Sequence, residues 1–145
     1  MTNFIEVLKD LMFEHSLTQS KLAEVLEIDC STISKYLCGN QSPDFDIVIK
    51  IADYFDCTLD YLLGRTDENK RKDFHACPPF GTRFLFLLDK FELSRYKLQQ
   101  DTHIAKSTMY YWQTGKSKPT IDSLIALAKE FGCSVDFVVG RVDFE

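Results

Sequence analysis

Two stretches of the chain place hydroxyl, lysine and tyrosine side chains where they could form hydrogen bonds from one face of a short helix. The first is CSTISKYLCGNQSP, residues 30–43, and the second is KSTMYYWQTGKSKP, residues 106–119. Ser-Thr, Gly and Pro recur at the same offsets in both stretches. Such side chains suit the recognition of a polar, anionic partner through hydrogen bonds and charge neutralisation.

Catalytic chemistry has little support in the sequence. The three histidines, His15, His75 and His103, are scattered, and none pairs with a nucleophile or a carboxylate cluster. No glycine-rich phosphate loop is present,. We therefore predict that the protein is not an enzyme, that it has no catalytic residues, and that the histidines are surface residues.

The five cysteines do not indicate a disulfide framework or a metal site. Their number is odd, and no C-x-x-C pair occurs,. We expect reduced thiols, with Cys57 and Cys133 as small core residues and with no metal or other cofactor. A redox switch through Cys30 or Cys38 is a weaker alternative, because solvent-facing thiols are common.

An internal repeat organises the chain. A shift of 76 positions aligns residues 4–67 with residues 80–143 without a gap, and 19 of the 64 pairs are identical. Two copies of one small domain explain this pattern. We predict one domain at residues 1–66, a polar linker at 67–79 that ends in two prolines, and a second domain at 80–145.

Each copy has helical periodicity, and we predict an all-α fold of five helices per copy. Residues at helical spacing mark one face each of helices one, three and four, and this face is apolar in helices three and four. In copy one these are Phe4, Leu8, Leu11 and His15; Ile33 and Leu37; and Val48, Ile49, Ala52 and Phe55. In copy two they are Phe80, Phe84, Leu87 and Phe91; Met109 and Trp112; and Leu124, Ile125, Ala128 and Phe131.

Capping residues mark the ends of these helices. Hydroxyl and carboxylate side chains that can accept a hydrogen bond from a free amide begin helices two, four and five of both copies. A left-handed glycine is expected to end helix three. The caps are Thr18, Asp44 and Thr58, then Ser94, Thr120 and Ser134; the glycines are Gly39 and Gly115; Asp29 is a further candidate cap for helix three.

Helices two and three are short and separated by a tight turn, which is the layout of a helix-turn-helix. The second helix of such a motif can lie in the major groove of DNA, which admits one helix. Its outward side chains are then placed to contact bases and phosphates. They are Cys30, Ser31, Ser34 and Lys35 in copy one, and Lys106, Ser107, Tyr110 and Tyr111 in copy two.

Residues 17–67 resemble the phage Cro/repressor-type, or Xre-like, helix-turn-helix family. The resemblance rests on Leu17-Thr18-Gln19, Leu22-Ala23, Ser31-Thr32-Ile33-Ser34-Lys35, Gly39, Pro43 and the ending LLGRTD. Copy two matches through Leu98, Ser107-Thr108, WQTGKSKPT and GRVD. The resemblance implies two tandem lambda-repressor-like domains that bind double-stranded DNA by sequence and control transcription, usually by occluding a promoter.

The resemblance also assigns contacts and exposes two departures. It implies that Gln19 and Arg95 contact a phosphate or an edge base, and that Asn40 and Lys116 contact the DNA backbone. The family often has glycine in the turn, where this chain has Glu27 and His103, so we expect a wider or strained turn,. Gln99 stands where copy one keeps Ala23. Either the two helices of copy two lie further apart, or the Gln99 amide points to the rim.

Charge is distributed unequally between the copies. Residues 1–72 carry eight basic and thirteen acidic residues, whereas residues 73–145 carry nine of each. Near the third helix, copy one offers Lys21 and Lys35 beside three acids, Glu24, Glu27 and Asp29. Copy two offers five cations beside Asp101, which are Arg95, Lys97, Lys106, Lys116 and Lys118. Charge therefore favours copy two as the stronger DNA binder, whereas the motif is better kept in copy one.

Two functions remain open at this stage. The preferred hypothesis is a transcriptional regulator, a repressor, that binds two different half-sites with two recognition helices. The alternative is a protein-interaction module such as an antirepressor or antitoxin component, which the acidic charge of copy one supports.

Two further expectations concern partners and location. Leu85 and Phe86 add apolar surface to helix one of copy two, and they are either buried within the protein or form a homodimer interface,. The chain shows no signal peptide and no membrane-spanning run, so a cytoplasmic protein is expected. No small-molecule ligand is indicated.

Overall fold

The computed structural model describes residues 2–70 and 73–143, with side chains from residue 4 onward. These residues form two compact units, divided between positions 71 and 72. The division falls inside the predicted linker. Within the described ranges the regular structure is entirely helical, with five helices in each unit, so the predicted all-α fold is confirmed.

The helices of the two units correspond in order. In the first unit they are α1 Thr2–Glu14, α2 Gln19–Leu26, α3 Cys30–Cys38, α4 Phe45–Phe55 and α5 Leu59–Leu62. In the second unit they are α6 Phe80–Lys90, α7 Arg95–Thr102, α8 Lys106–Thr114, α9 Ile121–Phe131 and α10 Val135–Val139. None of the described helices is long and apolar enough to cross a membrane.

The six predicted side-chain caps at helices two, four and five are confirmed. Thr18 and Ser94 each accept a hydrogen bond from the amide three residues later, at 3.1 Å. Asp44 and Thr120 do the same for α4 and α9, at 3.0 and 3.2 Å. The caps of α5 and α10 follow the same geometry, with both hydrogen bonds at 3.0 Å; they are Thr58 and Ser134.

The ends of α3 and α8 are partly as predicted. Gly39 and Gly115 end these helices in the left-handed conformation, with φ of 81° and 79°. Asp29 occupies the first capping position of α3, but its side chain makes no capping hydrogen bond. The predicted cap role of the Asp29 carboxylate is therefore wrong, and that carboxylate stays exposed beside the helix.

The inner faces of the helices differ from the prediction at a few positions. In α4 and α9 the residues Ile51 and Leu127 are fully buried, whereas Ile49 and Ile125 are only half-buried. In α3 it is Tyr36 that is buried, and Leu37 is half-buried. These helices carry apolar residues at successive positions, so periodicity alone does not fix which of two neighbours faces the core.

His15 does not extend the buried stripe of α1. It lies beyond the last residue of that helix, and its side chain is exposed. The His15 ring still packs edge-on against Phe55 at 5.0 Å between ring centroids, and its Nδ1 lies 2.9 Å from the Leu11 carbonyl oxygen. Met12 takes the next buried position of α1 instead.

Residues of the predicted linker contact the unit on their own side. The Asn69 side chain accepts a hydrogen bond from the Thr58 amide at 3.2 Å, at the start of α5. The His75 amide donates to the Arg141 carbonyl at 2.7 Å, and the Phe74 ring lies 3.9 Å from the Arg141 guanidinium carbon. The two ends of this segment are therefore ordered parts of the units.

Each unit has an arginine–aspartate ion pair at the same position of the repeat, but the two pairs differ in burial. Arg65 donates to Asp60 and Arg141 donates to Asp136, each at 2.6 Å. The Arg65 side chain is partly exposed, whereas Arg141 is fully buried. The Phe74 ring packs on the Arg141 guanidinium and covers it.

Candidate nucleic-acid interface

In the first unit, α3 is held by burial of its inner face. Ile33 and Tyr36 of α3 are buried together with Ala23 and Leu26 of α2. The N-termini of the two helices lie side by side, since the Ser20 hydroxyl and the Cys30 thiol are 3.7 Å apart. Both helices therefore present their first turns on the same side of the unit.

In the second unit, an aromatic cluster holds α8. Trp112 is 1% exposed and meets the rings of Phe80 and Phe84 of α6 edge-on, at centroid distances of 5.6 and 5.4 Å. Here too the first turns of the second and third helices adjoin, because Lys106 Nζ lies 4.9 Å above the Tyr96 ring. The shared arrangement brings the polar ends of α7 and α8 together.

The structure exposes nearly all residues predicted to contact DNA. Ser34 and Arg95 are half-buried. The others are exposed; they are Gln19, Lys21, Cys30, Ser31, Lys35, Asn40, Lys97, Lys106, Ser107, Tyr110, Tyr111 and Lys116. They lie on or beside the second and third helices of each unit, as the pattern indicates.

The first unit has cations that are partly neutralised by its own acids. Lys21 Nζ lies 3.8 Å from Glu24, and Lys50 Nζ lies 3.9 Å from Glu27. All these groups are exposed, so each pair contributes little to stability. Their effect is on the surface potential, because each carboxylate cancels the positive charge of a lysine near the helix-turn-helix,.

The second unit holds its cations against aromatic rings. Lys116 Nζ lies 4.6 Å above the Tyr111 ring, just after the C-terminal end of α8. The contact of Lys106 with Tyr96 lies at the N-terminal end of the same helix. The rings fix the positions of the two ammonium groups without neutralising them. The basic and aromatic surface of α8 is therefore suited to phosphate oxygens and to the faces and edges of bases.

Two other polar contacts involve α7, the helix next to α8. Arg95 Nε donates to the Gln113 side chain at 3.1 Å, which joins the start of α7 to the last turn of α8. Lys97 pairs with Asp101 at 3.4 Å. A hydrogen bond from Glu130 lowers the pKa of Asp101, and the same bond raises the pKa of Glu130.

Family models match both halves of the chain. Residues 8–62 match the model described as Helix-turn-helix, and residues 86–137 match the model described as Cro/C1-type HTH DNA-binding domain. Together the two matches cover more than half of the chain. The chain belongs to the Cro/C1-type helix-turn-helix family, in two tandem copies.

Curated relatives carry the same motif. The chain is 31% identical over 72 residues to an uncharacterized HTH-type transcriptional regulator of Rickettsia conorii, covering 47% of this chain and 66% of that one. It is 30% identical over 66 residues to the Bacillus subtilis HTH-type transcriptional regulator ImmR, covering 46% and 52%. The Vibrio cholerae cryptic phage CTXphi transcriptional repressor RstR is 36% identical over 55 residues, covering 37% and 49%.

The aligned segments of these relatives are short compared with the chain. Each covers about the length of one helix-turn-helix unit, and the chain spans about half to two thirds of the relatives it matches. A solved transcriptional regulator from Listeria innocua is 27% identical and covers 67% of this chain and 83% of that one, with a TM-score of 0.42.

The helix-turn-helix turns keep a left-handed residue without glycine. Glu27 has φ of 58° and His103 has φ of 62°, and both lie in the left-handed region. That conformation costs a residue with a Cβ atom about 1 kcal/mol. The turns are therefore strained, as expected.

The helix-turn-helix packing is looser in the second unit. Ala23 is buried between α2 and α3, whereas the aligned Gln99 is exposed, so its amide lies at the rim. The backbones of α7 and α8 are also in less extensive contact than those of α2 and α3. The exposure of Gln99 bears out the alternative in which its amide points to the rim.

Sequence reasoning missed two residues at this interface. Tyr96 is 59% exposed and supports Lys106, and the aligned Ser20 contacts Cys30 in the first unit. Their positions in the sequence could have identified them, because both residues directly follow the predicted contact residues Gln19 and Arg95, with which the second helices begin. What was missing was the lateral contact between first turns, which only the packing of the two helices reveals.

Proposed function

We propose that the protein is a cytoplasmic, sequence-specific DNA-binding transcriptional regulator that acts as a repressor through two recognition helices, α3 and α8. The observation that carries the proposal is the shared geometry of the two units. In each, one side of the third helix is buried, and the opposite side presents the predicted contact residues beside the first turn of the second helix. The relatives named as transcriptional regulators support the same function.

The two recognition helices differ in the groups they offer. The α3 helix presents Ser31, Ser34 and Lys35, which suit hydrogen bonds to base edges,. The α8 helix presents Lys106, Tyr110 and Tyr111, which suit phosphate contacts and apolar contact with bases,. We therefore assign one DNA-binding domain to residues 1–66 and one to 80–145, with different half-sites.

Phosphate contact is proposed for the residues that flank the recognition helices. Gln19 and Arg95 begin the second helices, and Asn40 and Lys116 follow the glycines that end the third. Each phosphate contact by a cation contributes about −0.9 to the slope of log affinity against log salt. Replacing Lys116 with Gln should therefore lower that slope by about one without changing the preferred sequence.

DNase footprinting on a selected operator tests the proposal. Two protected half-sites about one helical turn apart, roughly 34 Å, are expected from two recognition helices in one chain. Protection of one half-site only would refute the two-helix version. A footprint that Lys106→Glu shortens at one end, and that Lys35→Glu shortens at the other, would assign each half-site to its unit.

A protein-interaction role is the second candidate, and the acids around α3 favour it. Glu24 and Glu27 each lie within 4 Å of a lysine of the same surface, and Asp29 is exposed at the start of the helix. An antirepressor or antitoxin component would use this face for a protein partner. Electrophoretic mobility shift with random duplex DNA at low salt separates the two functions: a salt-dependent shift favours the regulator, and no shift favours the interaction module.

Homodimerisation through α6 is a further proposal. Leu85 and Phe86 are 48% and 46% exposed, so neither is buried in the core of the second unit. Exposed apolar side chains of this size are common at subunit interfaces. Light scattering after size exclusion tests the idea: a dimer that becomes a monomer in Phe86→Asp supports it, and a wild-type monomer refutes it.

A further inference from the structure

The first unit has an open groove between α1 and α5. Its volume is about 390 Å³, and its walls include Glu6 and Asp10 of α1, Tyr61 of α5, and Gly64 and Asp67 beyond that helix. The three carboxylates are exposed. Within the described part of the chain, no lysine or arginine forms an ion pair with any of them.

In the second unit, the corresponding space between the first and the last helix is occupied by a side chain of the unit itself. The Arg83 side chain reaches from α6 to α10, and its guanidinium carbon lies 4.6 Å from the ring centroid of Phe86 and 4.5 Å from that of Phe137. Its Nε and Nη2 donate to the Phe137 carbonyl oxygen at 3.1 and 2.6 Å. One arginine thus ties the first helix of the unit to the last.

The repeat makes the comparison residue by residue. At the offset of 76, Val7 stands in the place of Arg83, and Asp10 stands in the place of Phe86. Tyr61 corresponds to Phe137 and keeps the aromatic ring. The first unit has therefore lost the arginine and one of its two rings, while the second ring remains in the wall of the groove.

The charges around the remaining ring have changed sign. In the second unit Arg83 and Lys90 lie close to Phe137. In the first unit burial raises the pKa of the Tyr61 hydroxyl most, and the ionisable groups of Glu14, Cys57, Asp10 and Asp67 raise it further. Three of these four groups are carboxylates. A cation that enters the groove would meet the negative field that this pKa reflects.

We propose that this groove of the first unit binds an arginine side chain presented by a partner protein, in the place that Arg83 occupies within the second unit. Arginine fits better than lysine because its planar guanidinium can stack on the Tyr61 ring and bond carboxylate oxygens in a fork. None of the residues proposed to contact DNA lines the groove. The groove therefore gives the first unit a protein-binding surface that does not compete with DNA. Binding of arginine in the groove does not depend on DNA binding by the protein.

Nuclear magnetic resonance tests the groove with a minimal probe. The full-length ¹⁵N-labelled chain is titrated with N-acetyl-arginine amide, and the backbone amide shifts are followed. Saturable shifts confined to Tyr61, Gly64 and Thr66, with weaker shifts for the lysine derivative and none for the uncharged citrulline derivative, are expected. Equal shifts with citrulline, or shifts spread over both units, would overturn the proposal.

Two variants separate the groove from general charge effects. Glu6→Gln combined with Asp10→Asn should weaken arginine binding at least tenfold, whereas Glu92→Gln with Asp122→Asn, the same charge change on exposed residues of the second unit, should leave it unchanged. Equal binding by both double variants would refute the assignment of the site. Circular dichroism checks that each variant is folded.

A third variant fills the groove from within. Val7→Arg with Asp10→Phe installs the residues of the second unit, and it should abolish binding of the probe while keeping or raising the unfolding temperature. A filled variant that still binds the arginine amide at the same residues would overturn the proposal. If the chain self-associates as its concentration rises, and if the arginine amide reverses that self-association, the occupant of the groove is a second copy of this chain. That result would overturn the proposal of a partner protein.

Discussion

Gly81 sets the distance between α6 and the recognition helix α8. A Cβ atom at this position would lie 2.7 Å from the Trp112 carbonyl oxygen and 2.8 Å from that of Gln113. Both neighbours are backbone atoms, so no side-chain rotation relieves the overlap. Ordinary contact distances begin near 3.5 Å, and Gly81→Ala must therefore push the last turn of α8 away by several tenths of an ångström.

The magnitude follows from two opposing effects. Overpacking of this kind costs about 1–3 kcal/mol. The greater helix propensity of alanine returns at most about 1 kcal/mol, and less in the first turn, where Gly81 lies,. We expect a net loss of about 1–2 kcal/mol in the unfolding free energy of the second unit, which lowers its melting temperature by roughly 5–15 °C.

The assay combines calorimetry with DNA binding. Gly81→Ala should lower the melting temperature and weaken protection of the half-site assigned to α8. Gly132→Ala is the matched control: its φ of 69° strains an alanine, but no atom lies within 4 Å of the added Cβ, so stability falls without moving α8,. Unchanged stability in Gly81→Ala would refute the close approach of α6 and α8.

Three further predictions concern the second unit. Arg83→Met should lower the free energy of unfolding by about 1–3 kcal/mol, because the hydrogen bonds to the Phe137 carbonyl and the ring contacts are lost,. Urea unfolding measures this loss. Equal stability of the variant and the wild type would contradict the bridging role of Arg83. Thr120→Ala should cost about 1 kcal/mol through loss of the α9 cap, with Thr120→Ser near wild type as control,; a similar loss in the serine variant would count against the cap. Because the hydrogen bond to Asp101 raises the pKa of Glu130, the stabilisation from protonated Glu130 is lost as the pH rises from about 4.3 through the folded pKa of Glu130,. Because the same bond lowers the pKa of Asp101, it is also lost as the pH falls through the folded pKa of Asp101,. Glu130→Gln, whose amide can keep donating, should therefore gain stability relative to wild type across that range, and a constant difference would argue against the shared hydrogen bond.

Local patterns in the sequence determined much of the fold. A capping side chain acts within three residues of its own position, so Thr18, Asp44 and Thr58 could be recognised without any tertiary knowledge. The same holds for Gly39, whose left-handed conformation follows from the end of a helix. The repeat then extended each local inference to the second unit.

Contacts between distant helices could not be predicted in the same way. Arg83 bonds a residue 54 positions away, and nothing in the sequence of α6 distinguishes it from a solvated arginine. The phase of α4 was also ambiguous, because Ile49 and Ile51 are equally apolar and only packing decides which is buried. At the candidate interface, Tyr96 was missed for the same reason, since its contact with Lys106 joins two helices.

Selection of bound sequences from a random DNA pool tests the central claim that both recognition helices bind DNA. The selection is run with the wild-type chain, with Lys35→Glu in α3, and with Lys106→Glu in α8. Two different half-sites about one helical turn apart are expected for the wild type, and each variant should lose enrichment of one half-site only. Enrichment of a single half-site that only one variant abolishes, or of no sequence at all, would contradict the account.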